Sequence, residues 1–248
     1  MPKNREINIV VPMAGAGRKF AEVGYSFPKP LIDINGKPMI QLVIENIKPK
    51  VKHKFIFVCL NEHFEKYSLA EILSNLTKGN YEVIKLFNPA VGALCSVLTA
   101  TDFINNDSEL IIVNSDQLLD VDINEFIKFS RKSRADGVII TFESSHPRWS
   151  YARIDSKGQV VETVEKKVIS SHATCGVYYF RKGSDFVSAG FKMIDKHITL
   201  NGEFYICPVY NEMILDSKKI LGWEVDYKKM HSFGTPEDLQ LYLSRHET

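Results

Sequence analysis

Short runs of β-branched residues alternate with amphipathic segments through the first two-thirds of the chain. The pattern predicts strands at Ile7–Met13, Lys54–Leu60, Tyr81–Leu86 and Leu110–Asn114, and helices at Ile40–Ile47, Glu62–Leu76 and Gly92–Phe103. Such alternation is typical of βαβ units around a largely parallel sheet. The run Ile111-Ile112-Val113 has no polar alternate, as expected for a strand that is covered on both faces. We therefore predict an α/β fold in which helices flank a mixed, mostly parallel, Rossmann-like central sheet.

The pattern changes at Gly137, where strand candidates follow one another with little helix between them. These candidates are Val138–Phe142, Tyr151–Ile154, Val160–Val164 and Ala173–Phe180, and they predict an antiparallel or mixed extension of the sheet. The remaining predicted elements are helices at Ser184–Lys196 and Glu203–Leu215, a strand at Ile220–Val225, and a last helix that Thr235 caps. No repeat, low-complexity segment or linker divides the chain, so we expect residues 1–248 to form a single domain.

Composition and charge exclude several classes of function. A formal net charge of +1 argues against nucleic-acid or anionic-membrane partners, because both require a sustained positive face. The four cysteines, Cys59, Cys95, Cys175 and Cys207, lie far apart without a C-x-x-C pair, which favours reduced, buried thiols over disulfides or a zinc site. The sequence contains no signal-peptide pattern and no apolar run long enough to span a bilayer, so we expect a cytoplasmic protein.

The segment with the clearest chemical meaning begins at the end of the first predicted strand. It reads Val11-Pro-Met-Ala-Gly-Ala-Gly-Arg-Lys-Phe20, and Pro28-Lys-Pro-Leu31 comes shortly after it. Its two glycines allow close backbone approach and inward N–H groups, and three nearby cationic side chains suit a triphosphate. A plain tight turn is the simpler alternative for a G-x-G sequence. A P-loop and a Rossmann dinucleotide loop are set aside, since Gly-Lys-Ser/Thr and a third glycine are missing.

These two segments resemble, in order and position, the N-terminal signature of the sugar-phosphate nucleotidyltransferase superfamily. The resemblance extends over nearly the whole chain and implies a GT-A-like fold. The residues that it implies are the phosphate-binding Ala14, Gly15 and Gly17 and the catalytic Lys29, Arg18 and Lys19. The family's arginine falls on Lys19, while Arg18 takes the usual Ser/Thr position, so either side chain is a candidate for stabilising the transferring phosphate.

Two further segments match the same family. Asn88-Pro-Ala-Val-Gly-Ala-Leu-Cys-Ser resembles the loop and helix that contact the nucleobase, which carries that role to Gly92 and Ala93. Asp116 matches the aspartate that ends a central strand, and the implied cofactor is Mg²⁺, which prefers one or two carboxylates plus phosphate oxygens. Judged from the residues alone, an ordinary helix start and a capping aspartate stay open as alternatives.

The acceptor side is implied by three weaker matches. Glu162-Thr-Val-Glu-Lys-Lys and Ala173-Thr-Cys-Gly-Val-Tyr-Tyr-Phe resemble the family's E-K-P and G-x-Y-x-F elements, and Asn201-Gly-Glu-Phe-Tyr resembles a segment that lines the acceptor pocket. The implied acceptor-binding residues are Glu165, Lys166, Gly176 and Glu203, with Tyr205 as a weaker candidate. Lys167 stands where the family has proline. A solvated charge run and a helix start packed in the core are the alternative interpretations.

The match is incomplete before the C-terminal Gly-Thr-Pro. Many members of the family carry a metal-binding aspartate two residues before this tripeptide, and Ser232 takes that place here. Asp226, Glu224 and His231 are candidate replacements. Alternatively, Asp116 holds the metal with phosphates and water only.

The motifs leave both substrates open. Short members of the family include cytidylyl-, uridylyl- and guanylyltransferases, and the sequence around residues 146–155 looks most like capsule-cluster enzymes that use CTP. We expect transfer of CMP to phosphoglutamine, phosphocholine or a sugar 1-phosphate, with release of pyrophosphate, in capsule or surface polysaccharide biosynthesis. Trp149, Tyr151 and Arg153 are candidates for holding a charged acceptor, with core or rim positions as the alternative.

Two other classes of function are alternatives. A glycosyltransferase of related fold usually carries an Asp-x-Asp metal pair, whereas Asn114-Ser-Asp116 lacks the first aspartate. A non-catalytic nucleotide or sugar-phosphate sensor would explain Lys19 and Ser232 as degenerate positions. The sequence does not determine whether the chain forms a homo-oligomer.

Overall fold

A computed structural model describes residues 6–246 of the chain, and thirteen strands and ten α-helices lie within this range. The strands are β1 (Ile7–Pro12), β2 (Asp33–Ile34), β3 (Lys37–Pro38), β4 (His53–Leu60), β5 (Tyr81–Leu86), β6 (Glu109–Val113), β7 (Gln117–Leu119), β8 (Gly137–Glu143), β9 (Tyr151–Ile154), β10 (Val160–Val164), β11 (His172–Phe180), β12 (Ile220–Val225) and β13 (Met230–Ser232). The helices are α1 (Arg18–Glu22), α2 (Met39–Ile47), α3 (Asn61–Lys66), α4 (Leu69–Thr77), α5 (Ala93–Leu98), α6 (Thr101–Ile104), α7 (Ile123–Ser133), α8 (Gly183–Asp195), α9 (Val209–Leu215) and α10 (Pro236–Arg245). None of these helices is both long and apolar enough to cross a bilayer.

Parallel pairing forms the centre of the main sheet. β1 lies between β4 and β6, and β5 extends the sheet beyond β4, with all four strands parallel. β11 runs antiparallel to β6, and the strands β8, β9, β10 and β12 complete a mixed extension. The predicted α/β fold, with a mostly parallel sheet that becomes mixed after Gly137, is confirmed.

Apolar side chains cover both faces of the sheet. Ile9 and Phe57 belong to the cluster on one face, and Val10 and Ile112 belong to the cluster on the other. Successive residues of a strand point to opposite faces, which is why the neighbours Ile9 and Val10 separate in this way. The predicted two-sided burial of the run 111–113 is confirmed, since none of its residues is more than 1% exposed.

A third, smaller apolar cluster joins the N-terminal and C-terminal parts of the chain. Phe20 of α1 and Ile32 pack in it with Phe233 and with Leu239 of α10. Burying a side chain as large as phenylalanine stabilises by about 1.5–3 kcal/mol. The cluster therefore fixes the segment that carries Lys29 against the loop between β13 and α10.

The predicted helices differ from the structure in three places. The helix predicted at Gly92–Phe103 is divided into α5 and α6. The segment predicted as a helix at Glu62–Leu76 is divided into α3 and α4, because Ser68 between them has a φ of 51°. The helix predicted at Glu203–Leu215 is wrong in its first half, since α9 begins only at Val209. Contacts with distant backbone determine this outcome, because the N–H of Phe204 donates to the carbonyl of Val91 instead of joining a helix. The predicted cap of the last helix is confirmed: the side chain of Thr235 accepts a hydrogen bond in its first turn.

Candidate active site

A cavity of about 540 Å³ lies at the carboxyl ends of β1 and β6. It is lined by the predicted residues Ala14, Gly15, Gly17, Arg18, Lys19, Lys29, Gly92, Ala93, Asp116 and Glu203, and by Tyr205. Ligands of open α/β sheets bind at this edge, and the volume is that of a small-molecule site. The structure thus brings together the residues predicted to bind phosphates, nucleobase and metal.

The glycine-rich segment forms a loop between β1 and α1, and its shape depends on Gly17. This residue has a φ of 63°, and a Cβ added to it would lie 3.6 Å from the Cβ of Lys29. Because α1 begins at the next residue, the exposed Arg18 and Lys19 extend from its first turn at the cavity wall. Phe20 is buried and anchors this turn in the small apolar cluster. The loop therefore presents backbone and two cationic side chains to the cavity.

Lys29 is held by three groups. Its ammonium nitrogen lies 2.5 Å from Asp116 Oδ2, and it donates to the carbonyl oxygen of Gly234 at 3.3 Å. The same nitrogen lies 5.5 Å from the centre of the Phe20 ring. The backbone carbonyl of Asp116 accepts a hydrogen bond from the N–H of Phe233 at 2.7 Å. Residues from three distant parts of the sequence are therefore fixed together at the cavity wall.

Three side-chain oxygens lie close to the position that a Cβ would occupy at Gly234. A Cβ built on this glycine would lie 3.2 Å from Ser232 Oγ, 3.7 Å from Asp238 Oδ2 and 3.9 Å from Asp116 Oδ2. The Ser232 hydroxyl donates to Asp238 Oδ2 at 3.1 Å, and Arg148 donates to Asp238 Oδ1 at 2.7 Å. These oxygens form a cradle that a side chain at position 234 would fill. Across residues 6–246, no three His, Cys, Asp or Glu side chains gather in a way that suits a metal ion.

Asp238 is a member of this cradle that the sequence did not reveal. The pairing of β13 with β7 places Ser232 opposite Gln117, the residue after Asp116, and Asp238 accepts from the Ser232 hydroxyl. The replacements suggested from the sequence have other partners: Asp226 accepts from the N–H of Lys228, Glu224 lies 3.9 Å from His172, and His231 hydrogen bonds to Asp120.

The turn at Gly92 fits against the backbone of Phe204. Gly92 has a φ of 91°, and a Cβ on it would lie 2.3 Å from the Phe204 carbonyl oxygen. Phe204 donates to the carbonyl of Val91 and accepts from the N–H of Leu94, both at 3.1 Å. Only glycine satisfies both the backbone angle and the available space. The contact joins the wall predicted to bind the nucleobase to the wall that carries Glu203.

Two of the predicted acceptor residues meet through Tyr205. Lys166, in the loop between β10 and β11, donates from its ammonium group to the Tyr205 hydroxyl at 2.8 Å. That hydroxyl donates in turn to Glu203 Oε2 at 2.8 Å, and the Lys166 ammonium lies 4.5 Å from the centre of the tyrosine ring. The Tyr205 hydroxyl thus joins a cation to a carboxylate, and of the three residues Glu203 and Tyr205 line the cavity.

Glu165 and Gly176 are not among the residues that line the cavity. The carboxylate of Glu165 accepts a hydrogen bond from the Ser150 hydroxyl, and burial raises its pKa although this bond opposes the shift. Gly176 has a φ of 65°, and a Cβ on it would lie 2.3 Å from Asn114 Nδ2 and 2.8 Å from Gln117 Oε1. Close packing therefore accounts for this glycine without a ligand. The acceptor roles of both residues stay predictions.

The other residues proposed for a charged acceptor occupy core or rim positions. Tyr151 is fully buried, Trp149 packs against Phe142, and Arg153 forms an ion pair with Glu162. These positions agree with the alternative interpretation, in which the three residues belong to the core or the rim and do not hold an acceptor.

The cysteines are free thiols, as expected. Burial raises the pKa of Cys59 to about 11, and it also raises the pKa values of Cys175 and Cys207. Cys95 is only partly buried, and burial raises its pKa as well. At neutral pH all four groups are protonated thiols and poor nucleophiles.

Known proteins share both the sequence pattern and the fold of this chain. A family model described as nucleotidyl transferase matches residues 9–196, which is more than half of the chain. The bifunctional protein GlmU of Methanocaldococcus jannaschii is 25% identical over 217 residues, covering 86% of this chain and 48% of that protein. The UTP–glucose-1-phosphate uridylyltransferase of Synechocystis is 22% identical over 196 residues, covering 71% of this chain and 50% of that protein. The chain thus spans about half the length of these curated relatives.

A solved structure shares the fold over almost its whole length. It is the nucleoside-diphosphate-sugar pyrophosphorylase of Vibrio cholerae RC9, with a TM-score of 0.82 and 22% sequence identity. The similarity covers 95% of this chain and 99% of that one. At this level of identity the likeness establishes the architecture, and the chemistry has to be argued from the cavity itself.

Proposed function

Because this chain belongs to the nucleotidyl transferase family, we propose that residues 1–248 form one domain that moves an NMP unit from an NTP onto a small phosphorylated acceptor. The observation that carries the proposal is the convergence of the glycine-rich loop with Arg18, Lys19 and Lys29 on one cavity. A triphosphate carries about four negative charges, which repel an anionic nucleophile until cationic groups neutralise them.

In the proposed reaction an oxygen of the acceptor phosphate forms a bond to the α-phosphorus of the NTP. The bond from that phosphorus to the oxygen that bridges to the β-phosphate breaks, and pyrophosphate leaves with the electron pair. A phosphate monoester is largely anionic at neutral pH, so no general base is required. The chain acts by positioning and by charge neutralisation, with Lys29, and either Arg18 or Lys19, assigned to the transferring phosphate.

A divalent cation, Mg²⁺, is part of the proposal. The oxygens around Gly234 fit such an ion, because Mg²⁺ prefers hard oxygen donors and needs only one or two carboxylates from the protein. Asp116 would hold it. When bound, the ion neutralises negative charge on the NTP phosphates. Lys29, no longer paired with Asp116, would then be free to contact the phosphates.

For the substrates we propose CTP together with phosphoglutamine, phosphocholine or a sugar 1-phosphate, in capsule or surface polysaccharide biosynthesis. The motif resemblance supports CTP, bound at Gly92 and Ala93. The name of the Synechocystis relative supports glucose 1-phosphate with UTP, so both substrates belong in any test. The pairing of Lys166 with Tyr205 and Glu203 supports an acceptor that carries a phosphate and a hydrogen-bond donor.

The test is pyrophosphate release with Mg²⁺ from each of the four NTPs, offered sugar 1-phosphates, phosphocholine and phospho-amino acids in turn. Reactions without acceptor serve as the control. Release that requires one NTP and one acceptor supports the proposal and names both substrates. NTP binding without release from any pair would favour a sensor, and release of a nucleoside diphosphate from a nucleotide sugar would favour a glycosyltransferase.

A further inference from the structure

Hydrogen bonds connect the Lys29 ammonium group to two residues outside the cavity of the proposed reaction. Ser232 and Asp238 line a separate pocket of about 50 Å³ together with Arg148, whereas Lys29 and Gly234 line the large cavity. We infer that Ser232 and Asp238 position the ammonium group of Lys29 by fixing the backbone of Gly234, to which this group is bonded. The inference rests on the proposed function for the task of Lys29, and it makes Ser232 and Asp238 positioning residues.

Three hydrogen bonds form the connection, and each joins one donor to one acceptor. The Lys29 ammonium donates to the carbonyl oxygen of Gly234 at 3.3 Å, and the N–H of Gly234 donates to Ser232 Oγ at 3.1 Å. The Ser232 hydroxyl then donates to Asp238 Oδ2 at 3.1 Å. A displacement of the Asp238 carboxylate is therefore passed through residue 232 to the glycine backbone and on to the lysine.

The connection requires a hydroxyl group at position 232. A hydroxyl donates one hydrogen bond and accepts others at the same time, and Ser232 does both. An ionised carboxylate only accepts, so an aspartate there could hold the N–H of Gly234 but could not donate to Asp238. Alanine would leave both partners without this bond. The side chain of residue 232 is thus matched to the two groups that it joins.

Asp238 is a firm support for this connection. Its own N–H donates to the Thr235 hydroxyl at 3.3 Å in the first turn of α10, and Arg148 donates to Oδ1 at 2.7 Å. The side chain is 14% exposed, and the next residue, Leu239, is fully buried in the small apolar cluster. The carboxylate oxygen that faces Ser232 therefore has a fixed place.

The bond to Gly234 matters most once the proposed cation is bound. The ammonium group has three N–H donors, of which one is directed at Asp116 and one at Gly234, so that one is left for a phosphate oxygen. A cation on Asp116 would release the first of these bonds, while the bond to the Gly234 carbonyl stays. That carbonyl then determines where the positive charge of Lys29 stands relative to the transferring phosphate, and small errors in such positions slow a reaction strongly.

A purely structural role for the two residues makes a different prediction. In that case Ser232 and Asp238 would tie the loop at Gly234 to α10, and their loss would lower stability and every step that depends on the fold. Positioning of Lys29 instead predicts a loss of turnover that disappears when the lysine itself is absent. Kinetics in two backgrounds therefore separate the two roles.

The first experiment measures steady-state kinetics of the full chain with the NTP and the acceptor that it uses. Ser232→Ala should lower kcat about fivefold, which corresponds to one hydrogen bond, with both KM values unchanged because the charge of the lysine serves mainly the transition state. Asp238→Ala should have the same effect. Ser232→Thr keeps the hydroxyl and should restore most of kcat, and Glu237→Gln, which removes a neighbouring exposed charge, is the matched control.

The second experiment is a double-variant cycle. Ser232→Ala should leave kcat unchanged in a Lys29→Ala background, because no ammonium group remains to be positioned, and the residual turnover is measured with α-labelled NTP. A structural defect would lower kcat by the same factor in both backgrounds. Arg148→Gln breaks the ion pair of Asp238 but not its bond to Ser232, so it should keep kcat within about twofold of the wild type.

A third measurement needs no activity. Trace labelling with acetic anhydride, read by mass spectrometry of the peptides, reports how freely each lysine amine reacts. Lys29 should react about two- to fivefold faster in Ser232→Ala than in the wild type, because the bond that holds its ammonium group is weakened. Lys37, which is 46% exposed and pairs with Glu45, is the internal control and should react at the same rate in both proteins.

Five results would overturn the inference: wild-type kcat in Ser232→Ala, no recovery in folded Ser232→Thr, an equal loss in the Lys29→Ala background, a loss in Arg148→Gln as large as that in Asp238→Ala, or an unchanged labelling rate of Lys29 in Ser232→Ala. The proposed function fails separately. If the wild type releases no pyrophosphate from any substrate pair, the labelling decides alone, and faster reaction of Lys29 keeps the connection while the assigned reaction is lost. Pyrophosphate release with wild-type kcat in Ser232→Ala keeps the reaction and loses the positioning.

Discussion

The ammonium nitrogen of Lys29 lies 2.5 Å from Oδ2 of Asp116, although the two residues are 87 positions apart in the sequence. Their side chains are 19% and 28% exposed, so the pair is neither fully solvated nor fully buried. Asp116 is also the carboxylate assigned to the cation. The lysine therefore pairs with the oxygen at which the proposed cation would bind.

Lys29→Ala should consequently bind Mn²⁺ more tightly than the wild type. Removal of a partly exposed ion pair worth about 1 kcal/mol or less predicts a gain of up to about fivefold. Electron paramagnetic resonance of free Mn²⁺ measures this gain, and Lys37→Ala, which removes an exposed pair with Glu45, is the control. Equal or weaker Mn²⁺ binding in Lys29→Ala would show that the lysine and the cation do not compete.

The outline of the fold was predictable because it depends on local patterns. Fully apolar runs such as 111–113 indicate strands buried on both faces, and the strands at Tyr81–Leu86 and Ile220–Val225 agree with the structure at both ends. The first half of the helix predicted at Glu203–Leu215 failed because the backbone of Phe204 bonds to residues more than a hundred positions earlier. A hydrogen bond of that kind leaves no periodic signal in the sequence.

The residues of the candidate site could be predicted where each belongs to a local motif in the sequence. The glycine-rich loop, Lys29 and Asp116 were each found in their own segments, and the structure brings them to one cavity. Asp238 was missed because its local sequence is fully explained as a helix cap. Its second environment, next to Ser232 and across from Asp116, exists only once β7 and β13 have paired.

Gly92→Ala should destabilise the fold and weaken NTP binding. The new Cβ would lie 2.3 Å from the Phe204 carbonyl oxygen at a residue with a φ of 91°. Gly79→Ala is the matched control, because Gly79 has a φ of 74° with no atom within 4 Å of an added Cβ. Backbone strain of about 1–3 kcal/mol is expected in both variants, with an additional loss in Gly92→Ala. Urea unfolding and calorimetric NTP titration test this, and equal effects of the two variants would contradict the assigned contact.

Tyr205→Phe should weaken acceptor binding selectively. The change removes the hydroxyl that connects Lys166 to Glu203 and leaves the ring in place. A net loss of about 1 kcal/mol predicts an acceptor KM that rises about fivefold, with the KM for the NTP unchanged. Steady-state kinetics with each substrate varied in turn measure both constants, and Tyr227→Phe at an exposed position is the control. A rise in the KM for the NTP alone would indicate that Tyr205 contacts the NTP and not the acceptor.

Glu165→Gln should change how stability depends on pH. Burial raises the pKa of this carboxyl above its ordinary value of 4.5, so the folded protein holds the proton more tightly than the unfolded chain does. Wild-type stability should therefore fall relative to the variant as pH rises from 4.5 through the raised pKa, and then level off. Urea unfolding of both proteins across this range provides the test, with Glu143→Gln as the exposed control. A stability difference that stays constant or has the opposite slope would contradict the partly buried environment of Glu165.

The central claim is that an acceptor phosphate attacks the α-phosphorus of an NTP in the cavity around Lys29. The most direct measurement follows radioactive phosphorus from α-labelled and γ-labelled NTP, with the wild type and Lys29→Ala compared at saturating substrates. The account predicts α-label in the acceptor product and γ-label in pyrophosphate in equal amounts, and a turnover in Lys29→Ala lower by about 10²-fold or more. Label from the α position in free NMP, or near-normal turnover in Lys29→Ala, would contradict it.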